Sequence, residues 1–136
     1  MNNIIDQWEY KYFKPEEIAC KGKTCGCHGE LWNSEKYGVN MPCYLKVALF
    51  KINKLRELWG KPIILNSAHR CRKHNMQVGG AINSQHLKIA FDCRMPKEEQ
   101  KAFIELAQEV GFTGIGVYEN FVHLDLGKKR KWKGKY

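Results

Sequence analysis

The sequence of 136 residues has no stretch approaching the ~20 consecutive apolar residues of a membrane-spanning helix, which excludes a transmembrane protein. Met1 to Tyr10 carries Asp6 and Glu9 and forms no continuous apolar segment, so no secretory signal is expected and synthesis is expected in the cytoplasm. Internal repeats and low-complexity linkers are missing as well, and at this length one compact domain is the expectation. Acidic residues are scarce: 14 stand against 23 lysines and arginines, for a formal net charge of +9. What the chain does have is 43% apolar and 12% aromatic residues, enough for a core and too much for intrinsic disorder.

The positive charge is concentrated at one end. Six basic residues fall in the last nine positions: Lys128, Lys129, Arg130, Lys131, Lys133 and Lys135. Residues 1–127 then hold 17 basic against 14 acidic residues, a balance of only +3. Residues 128–136 are accordingly expected to form a basic tail after a domain at 1–127. With Trp132 and Tyr136 interleaved, such a tail could grip nucleic acid, a phosphate-rich wall polymer or a membrane surface, or simply fray and aid solubility.

Residues 1–43 look irregular and hold Cys20, Cys25, Cys27 and Cys43, with His28 beside them. From Pro42 the pattern changes: Leu45, Ala48, Leu49, Ile52, Leu55 and Trp59 recur at three- and four-residue steps, which predicts a helix ending at Gly60. Ile63 to Leu65 reads as a strand, Asn66 to Gly80 as a loop or short helix, and Ile89 to Met95 as a second strand. A second amphipathic helix is expected from Pro96 to Gly111, with Phe103, Leu106, Ala107 and Val110 as its stripe. Ile115 to Tyr118 and Phe121 to Leu126 read as a hairpin across Glu119 and Asn120. The expected class is α+β, with helices packed on a small, mostly antiparallel sheet and a zinc cleft on that sheet.

Three polar residues fall where burial without a partner would be costly. His86 precedes the second strand, Asp92 lies within it, and His123 lies on the last strand. Two imidazoles and a carboxylate suit zinc and leave one tetrahedral position open, as in catalytic rather than structural sites. A hydrogen-bonded structural histidine is the competing interpretation at each position.

The residues around them resemble one family. Ser67-Ala-His-Arg70, His74-Asn75, Val78-Gly-Gly-Ala81, Asn83-Ser-Gln-His86, Ala90-Phe-Asp92, Gly114-Ile-Gly-Val-Tyr118 and Phe121-Val-His-Leu-Asp125 follow the order found in the zinc D-Ala-D-Ala carboxypeptidases. The resemblance to these peptidoglycan-cleaving metallopeptidases spans roughly residues 45–127. It implies zinc held by His86, Asp92 and His123, Arg70 pairing with a substrate carboxylate or carbonyl, and Ser84 orienting the ligand loop, with Tyr118 also a substrate-binding candidate. It further implies metal-assisted hydrolysis beside D-amino acids in stem peptides, by a carboxypeptidase or an endopeptidase. A cell-wall hydrolase without a leader fits a phage or prophage lytic enzyme released onto the wall, or a virion-associated or separately exported hydrolase, and a monomer is expected.

Departures from the family pattern are equally visible. Five residues separate His86 from Asp92, one fewer than in the family motif, and Lys88-Ile89 stands where a glycine is expected. His69 replaces a usual tyrosine. Asn120 occupies the place where some branches carry an acidic residue, which leaves Asp125, His69 or Glu119 as acid/base candidates. Asp125 could instead fix the His123 tautomer.

The cysteines admit several roles. Cys20, Cys25, Cys27 and Cys43 could hold a second, structural zinc. Cys71 follows Arg70 and Cys93 follows Asp92, so these two could form a disulfide beside the site or remain buried thiols. The competing function is a non-catalytic, zinc-stabilised module that binds wall polymer or nucleic acid through its basic tail. The modest charge of residues 1–127 weakens the nucleic-acid case.

Overall fold

The computed structural model describes residues 8–38 and 40–134. Met1 to Gln7, Val39 and the terminal Lys135 and Tyr136 lie outside the described residues. Among the described residues, five helices and a five-stranded sheet make an α+β fold. In chain order these are α1 (Pro15–Ile18), α2 (Ser34–Tyr37), α3 (Cys43–Trp59), β1 (Leu65–Ser67), α4 (Arg72–Gln77), β2 (Ala90–Arg94), α5 (Lys97–Val110), β3 (Gly114–Val117), β4 (Phe121–Asp125) and β5 (Arg130–Lys133). A 3-10 turn at Gln85–Leu87 precedes β2. No helix among the described residues is long and apolar enough to cross a membrane.

The sheet order is β1-β2-β4-β3-β5, antiparallel throughout except for the parallel β3–β5 pair. Leu45, Leu49, Ile52 and Leu55 of α3 and Phe103 and Ala107 of α5 bury the apolar sides of β2 and β4, contributed by Phe91, Cys93, Val122 and Leu124. The alternation that sends Phe91 and Cys93 inward turns Asp92 to the opposite face of the sheet, away from the helices. In the same way Val122 and Leu124 bury while His123 and Asp125 turn with Asp92. The helical layer thus makes the sheet rigid and leaves its other face for polar groups.

Several boundaries differ from those expected. The first strand begins at Leu65 rather than Ile63, because pairing with β2 starts at Leu65 opposite Cys93 and passes a register shift before Ser67 meets Asp92. Ile63 still enters the core, whereas Ile64 is exposed. On α5, Ile104 and Gln100 bury in addition to the expected stripe. Gln100 uses its side-chain amide to donate to the Met95 and Tyr118 carbonyls at 3.1 and 2.9 Å, tying the helix to the β3–β4 turn. The N-terminal segment is mostly irregular but carries two helical turns, and Phe13, Ile18, Trp32 and Met41 join the main core.

The largest correction concerns the basic end of the chain. Residues 130–133 are a strand, paired residue by residue with β3 from Gly114–Arg130 to Val117–Lys133. Alternation then puts Arg130 and Trp132 on one side of the sheet and Lys131 and Lys133 on the other. Lys128, Lys129, Arg130, Lys131 and Lys133 all remain exposed, so the charge stays at the surface but much of it is carried by an ordered strand rather than a frayed tail.

Truncating a core side chain should be costly here, and truncating an exposed one should not. Leu124→Ala, at a fully buried position, is expected to lower the unfolding free energy by about 2–5 kcal/mol. Phe50→Ala, at a position 68% exposed, should stay within about 0.5 kcal/mol of the parent. Urea unfolding followed by circular dichroism measures both. Equal losses would contradict the assignment of core and surface.

Candidate metal centre

Register brings the first two groups together. Asp92 on β2 and His123 on β4 are directly opposed partners, so their side chains rise side by side from the same face. His123 Nδ1 lies 3.0 Å from Asp92 Oδ1. His86 arrives from the 3-10 turn, where the Ser84 hydroxyl accepts the His86 backbone N–H at 3.2 Å. Its Nε2 then lies 3.2 Å from Asp92 Oδ2. The spacing between His86 and Asp92, short by one residue against the family motif, is taken up in this turn and Lys88, so β2 keeps its face. All three residues are buried.

Tautomers follow from what lies behind each ring. His86 Nδ1 donates to the Ala68 carbonyl at 2.6 Å, which leaves Nε2 as a lone pair. That Nε2 is buried and has no hydrogen-bond partner. His123 Nε2 donates to Asp125 Oδ2 at 2.6 Å, which leaves Nδ1 as a lone pair facing Asp92. Two imidazole lone pairs and a carboxylate therefore converge with nothing positive between them. Such an arrangement repels itself unless a proton or a cation sits inside it.

The spacing fits a zinc ion. Nitrogen and oxygen ligands at ~2.0–2.1 Å from a tetrahedral zinc stand about 3.3 Å apart, close to the 3.0 and 3.2 Å contacts of Asp92 with the two rings. The three ligand atoms all lie within 4.8 Å of one another.

Electrostatics keep the carboxylates ionised. Burial works to raise the Asp92 pKa, but whenever His123 and His86 carry protons on the nitrogens facing it, their hydrogen bonds and charge outweigh burial and hold the carboxyl well below the usual range, a part that a cation takes over once those protons leave. Asp125 is likewise opposed by burial. His123, the Arg130 guanidinium and the Gly127 backbone N–H hold it low. Arg130 meets Asp125 through two nitrogens, at 3.0 and 2.8 Å, a bidentate pair that fixes the carboxylate behind His123. Gly114 makes room for this pair, since a methyl group there would collide with both the Asp125 carboxylate and the Arg130 guanidinium. Gly116, directly opposite His123, does the same for the Trp132 ring.

In front of these ligands lies a cleft of about 640 Å³ whose lining includes Arg70, Ser84, Tyr118, Phe121, Lys128 and Trp132. Arg70 Nη1 donates to Asn75 at 2.8 Å and its Nε to Ser67 at 3.3 Å, and Nη2 stands 3.7 Å from Asp92. Tyr118 stacks on Phe121 with ring centroids 4.3 Å apart, and its hydroxyl accepts from Trp132 Nε1 at 3.1 Å. Arg70, Lys128 and Arg130 make the cleft cationic, with Asp92 its carboxylate among the lining residues.

Of the candidates read from the sequence, His86, Asp92, His123, Arg70, Ser84 and Tyr118 meet at this cleft. Asp125 and His69 do not line it. Asp125 sits behind His123 as its hydrogen-bond acceptor, and His69 is fully engaged, bonded to the Lys88 carbonyl and to Glu30 at 2.8 Å each. In the sequence Lys128, Arg130 and Trp132 stand only as members of the basic tail; the pairing of β5 with β3 brings this end of the chain to the cleft. The alternation of Arg130 and Trp132 with lysines was their one visible signal.

The cysteines also rearrange. Cys43 is exposed at the start of α3, and Cys71 takes its place beside Cys20, Cys25 and Cys27. Cys71 is therefore not partnered with Cys93, which is buried in the main core. Burial also pushes the Cys93 thiol well above its usual pKa, so it behaves as an apolar side chain.

The family model described as Peptidase M15 matches residues 11–125. No curated protein matches the chain.

The orienting role of Asp125 can be measured. Asp125→Asn should weaken zinc affinity by roughly 10–100-fold, read by competition with a chromophoric chelator. Unchanged affinity would show that the His123 ring is held by something else.

Proposed function

The chain belongs to the peptidase M15 family, a family of zinc metallopeptidases acting on peptidoglycan, and from that premise we propose that it hydrolyses peptide bonds beside D-amino acids in stem peptides. The observation that carries this is the buried convergence of His86 Nε2, Asp92 and His123 Nδ1 at the floor of an open cationic cleft. Zinc held there would supply a Lewis acid that polarises the scissile carbonyl and acidifies water.

The rest is the work of the chain's own groups. Ala68 and Asp125 fix the two imidazole tautomers from behind, so neither ring has to reorient during the reaction. Arg70, clamped by Ser67 and Asn75, presents a fixed guanidinium where a substrate carbonyl or carboxylate oxygen gains negative charge. Lys128 adds a flexible cation on the same rim, and stem peptides carry the carboxylates that such a rim attracts. The stacked Tyr118 and Phe121, with Trp132, form an apolar wall suited to small alkyl side chains. Cell-wall lysis after release is the setting we propose for this activity.

One observation favours a second function, a non-catalytic zinc-stabilised module that holds wall polymer. Asn120 stands where a proton-shuttling carboxylate would be expected, and among the residues lining the cleft Asp92, itself a ligand candidate, supplies the carboxylate.

Digestion of purified peptidoglycan, read by mass spectrometry, separates the two. We expect shortened or uncrosslinked stem peptides and new amine ends with the zinc-loaded protein, and none with His86→Ala. Arg70→Ala should lower kcat/KM on the released muropeptide by about 10²–10³-fold. Wall binding without any cleavage would establish the module instead.

A further inference from the structure

Away from the cleft, Cys20, Cys25, Cys27 and Cys71 bring their four sulfurs within 4.8 Å of one another. We propose that these thiolates hold a structural zinc ion, which pins the N-terminal segment to the loop that carries Arg70.

The sulfur spacing is compatible with a tetrahedral site. Thiolates at ~2.3 Å from zinc stand about 3.8 Å apart, and Cys20 and Cys25 lie at 4.0 Å, Cys25 and Cys27 at 3.5 Å. All four are well beyond the ~2.05 Å of a disulfide bond. Four sulfurs and no open position select a soft or borderline ion in a structural site rather than a catalytic one. Backbone N–H groups point at the sulfurs from outside: Glu30 at 3.4 Å from Cys27, and His74 at 3.4 Å from Cys71. Such donors stabilise thiolate charge, as outer partners do around bound metals.

The surrounding chain is built to close on this point. A methyl group at Gly22 would come within 2.7 Å of Cys25 Sγ and 2.8 Å of the His74 ring, so the loop can pass this close only without a side chain. Cys20, Cys25 and Cys71 form an apolar cluster of their own, separate from the main core, with Cys27 packed against it. Between Cys20 and Glu30 the sequence is Lys-Gly-Lys-Thr-Cys-Gly-Cys-His-Gly, which offers no apolar anchor besides the cysteines. An ordered loop of that composition requires a staple, and a metal supplies one.

The site bears on the cleft through Cys71. That residue follows Arg70 and caps α4, whose Asn75 holds the Arg70 guanidinium. The same loop is tied to the N-terminal segment by His69 N–H to the Ile18 carbonyl at 3.0 Å and by the His69 ring to Glu30. Arg70 N–H in turn donates to the His86 carbonyl at 2.7 Å. Ion, loop and ligand turn form one continuous chain of contacts.

The test uses the full chain purified under reductant, with the His86→Ala variant to empty the cleft. Elemental analysis should give two zinc ions per chain in the parent and one in His86→Ala. Cobalt-substituted His86→Ala should show near-ultraviolet thiolate-to-cobalt charge transfer and intense visible bands of a tetrahedral sulfur site. Cys27→Ser combined with Cys71→Ser should abolish those bands. Since that double variant could fail to fold, thiol titration of folded His86→Ala provides a second measure: with Cys93 shielded in the core, zinc should leave Cys43 alone reactive, and chelator should release the four cluster thiols. A His86→Ala protein with no bound zinc, no charge-transfer band, and Cys20, Cys25, Cys27 and Cys71 titrating without chelator would overturn the proposal. So would a mass showing disulfides among these four cysteines under non-reducing handling with zinc present. A protein that passes these measurements yet cleaves no peptidoglycan retains the cysteine site and loses only the peptidase assignment.

Discussion

The cross-strand pairing of Asp92 with His123 is the constraint from which the rest of the structure takes its meaning. Two adjacent antiparallel strands place a carboxylate and an imidazole face to face, at a position where neither can be fully hydrated. A one-residue slip in either strand would send one of them into the helical layer and a core residue into the cleft. The packing of Phe91, Cys93, Val122 and Leu124 against α3 and α5 makes that slip costly, so core burial is what fixes the site register. His86 then completes the set from outside the sheet, with its ring held by the Ala68 carbonyl.

Much of this is visible in the linear sequence. The helical stripes of α3 and α5 and the alternation in β2 and β4 are local patterns, and they place Asp92 and His123 on the polar side of their strands. The family resemblance ties His86 to the same site. What the sequence does not display is non-local. The parallel pairing of β5 with β3 skips over β4 and β5 carries no apolar alternation of its own, so Arg130 and Trp132 look like members of a charged tail. Cys43 is the first cysteine after Cys27 in sequence, yet Cys71 is the residue that folding brings to the cluster. Asp125 presents a similar case: sharing a strand face with His123 makes it a candidate for proton transfer, and only the bidentate contact with Arg130 shows it to be a fixed acceptor behind the ring.

The polar site also explains choices that would otherwise weaken a sheet. Glycines at 114 and 116 contribute no side-chain packing within β3, yet they leave space for the Asp125–Arg130 pair and for the Trp132 ring beside His123. Local strand stability is given up so that charge and aromatic surface can sit close behind and beside the ligands. The irregular N-terminal segment contributes in another way, through Ile18, Glu30 and the cysteines that grip the loop from Ser67 to Cys71.

The central claim is that His86 Nε2, Asp92 and His123 Nδ1 share one cation. A crystal structure of the zinc-loaded protein, with anomalous data collected on both sides of the zinc absorption edge, tests it directly. The account predicts an anomalous peak within bonding distance of all three side chains. An absent peak there, with the two rings and the carboxylate joined only by protons or turned toward different neighbours, would contradict it.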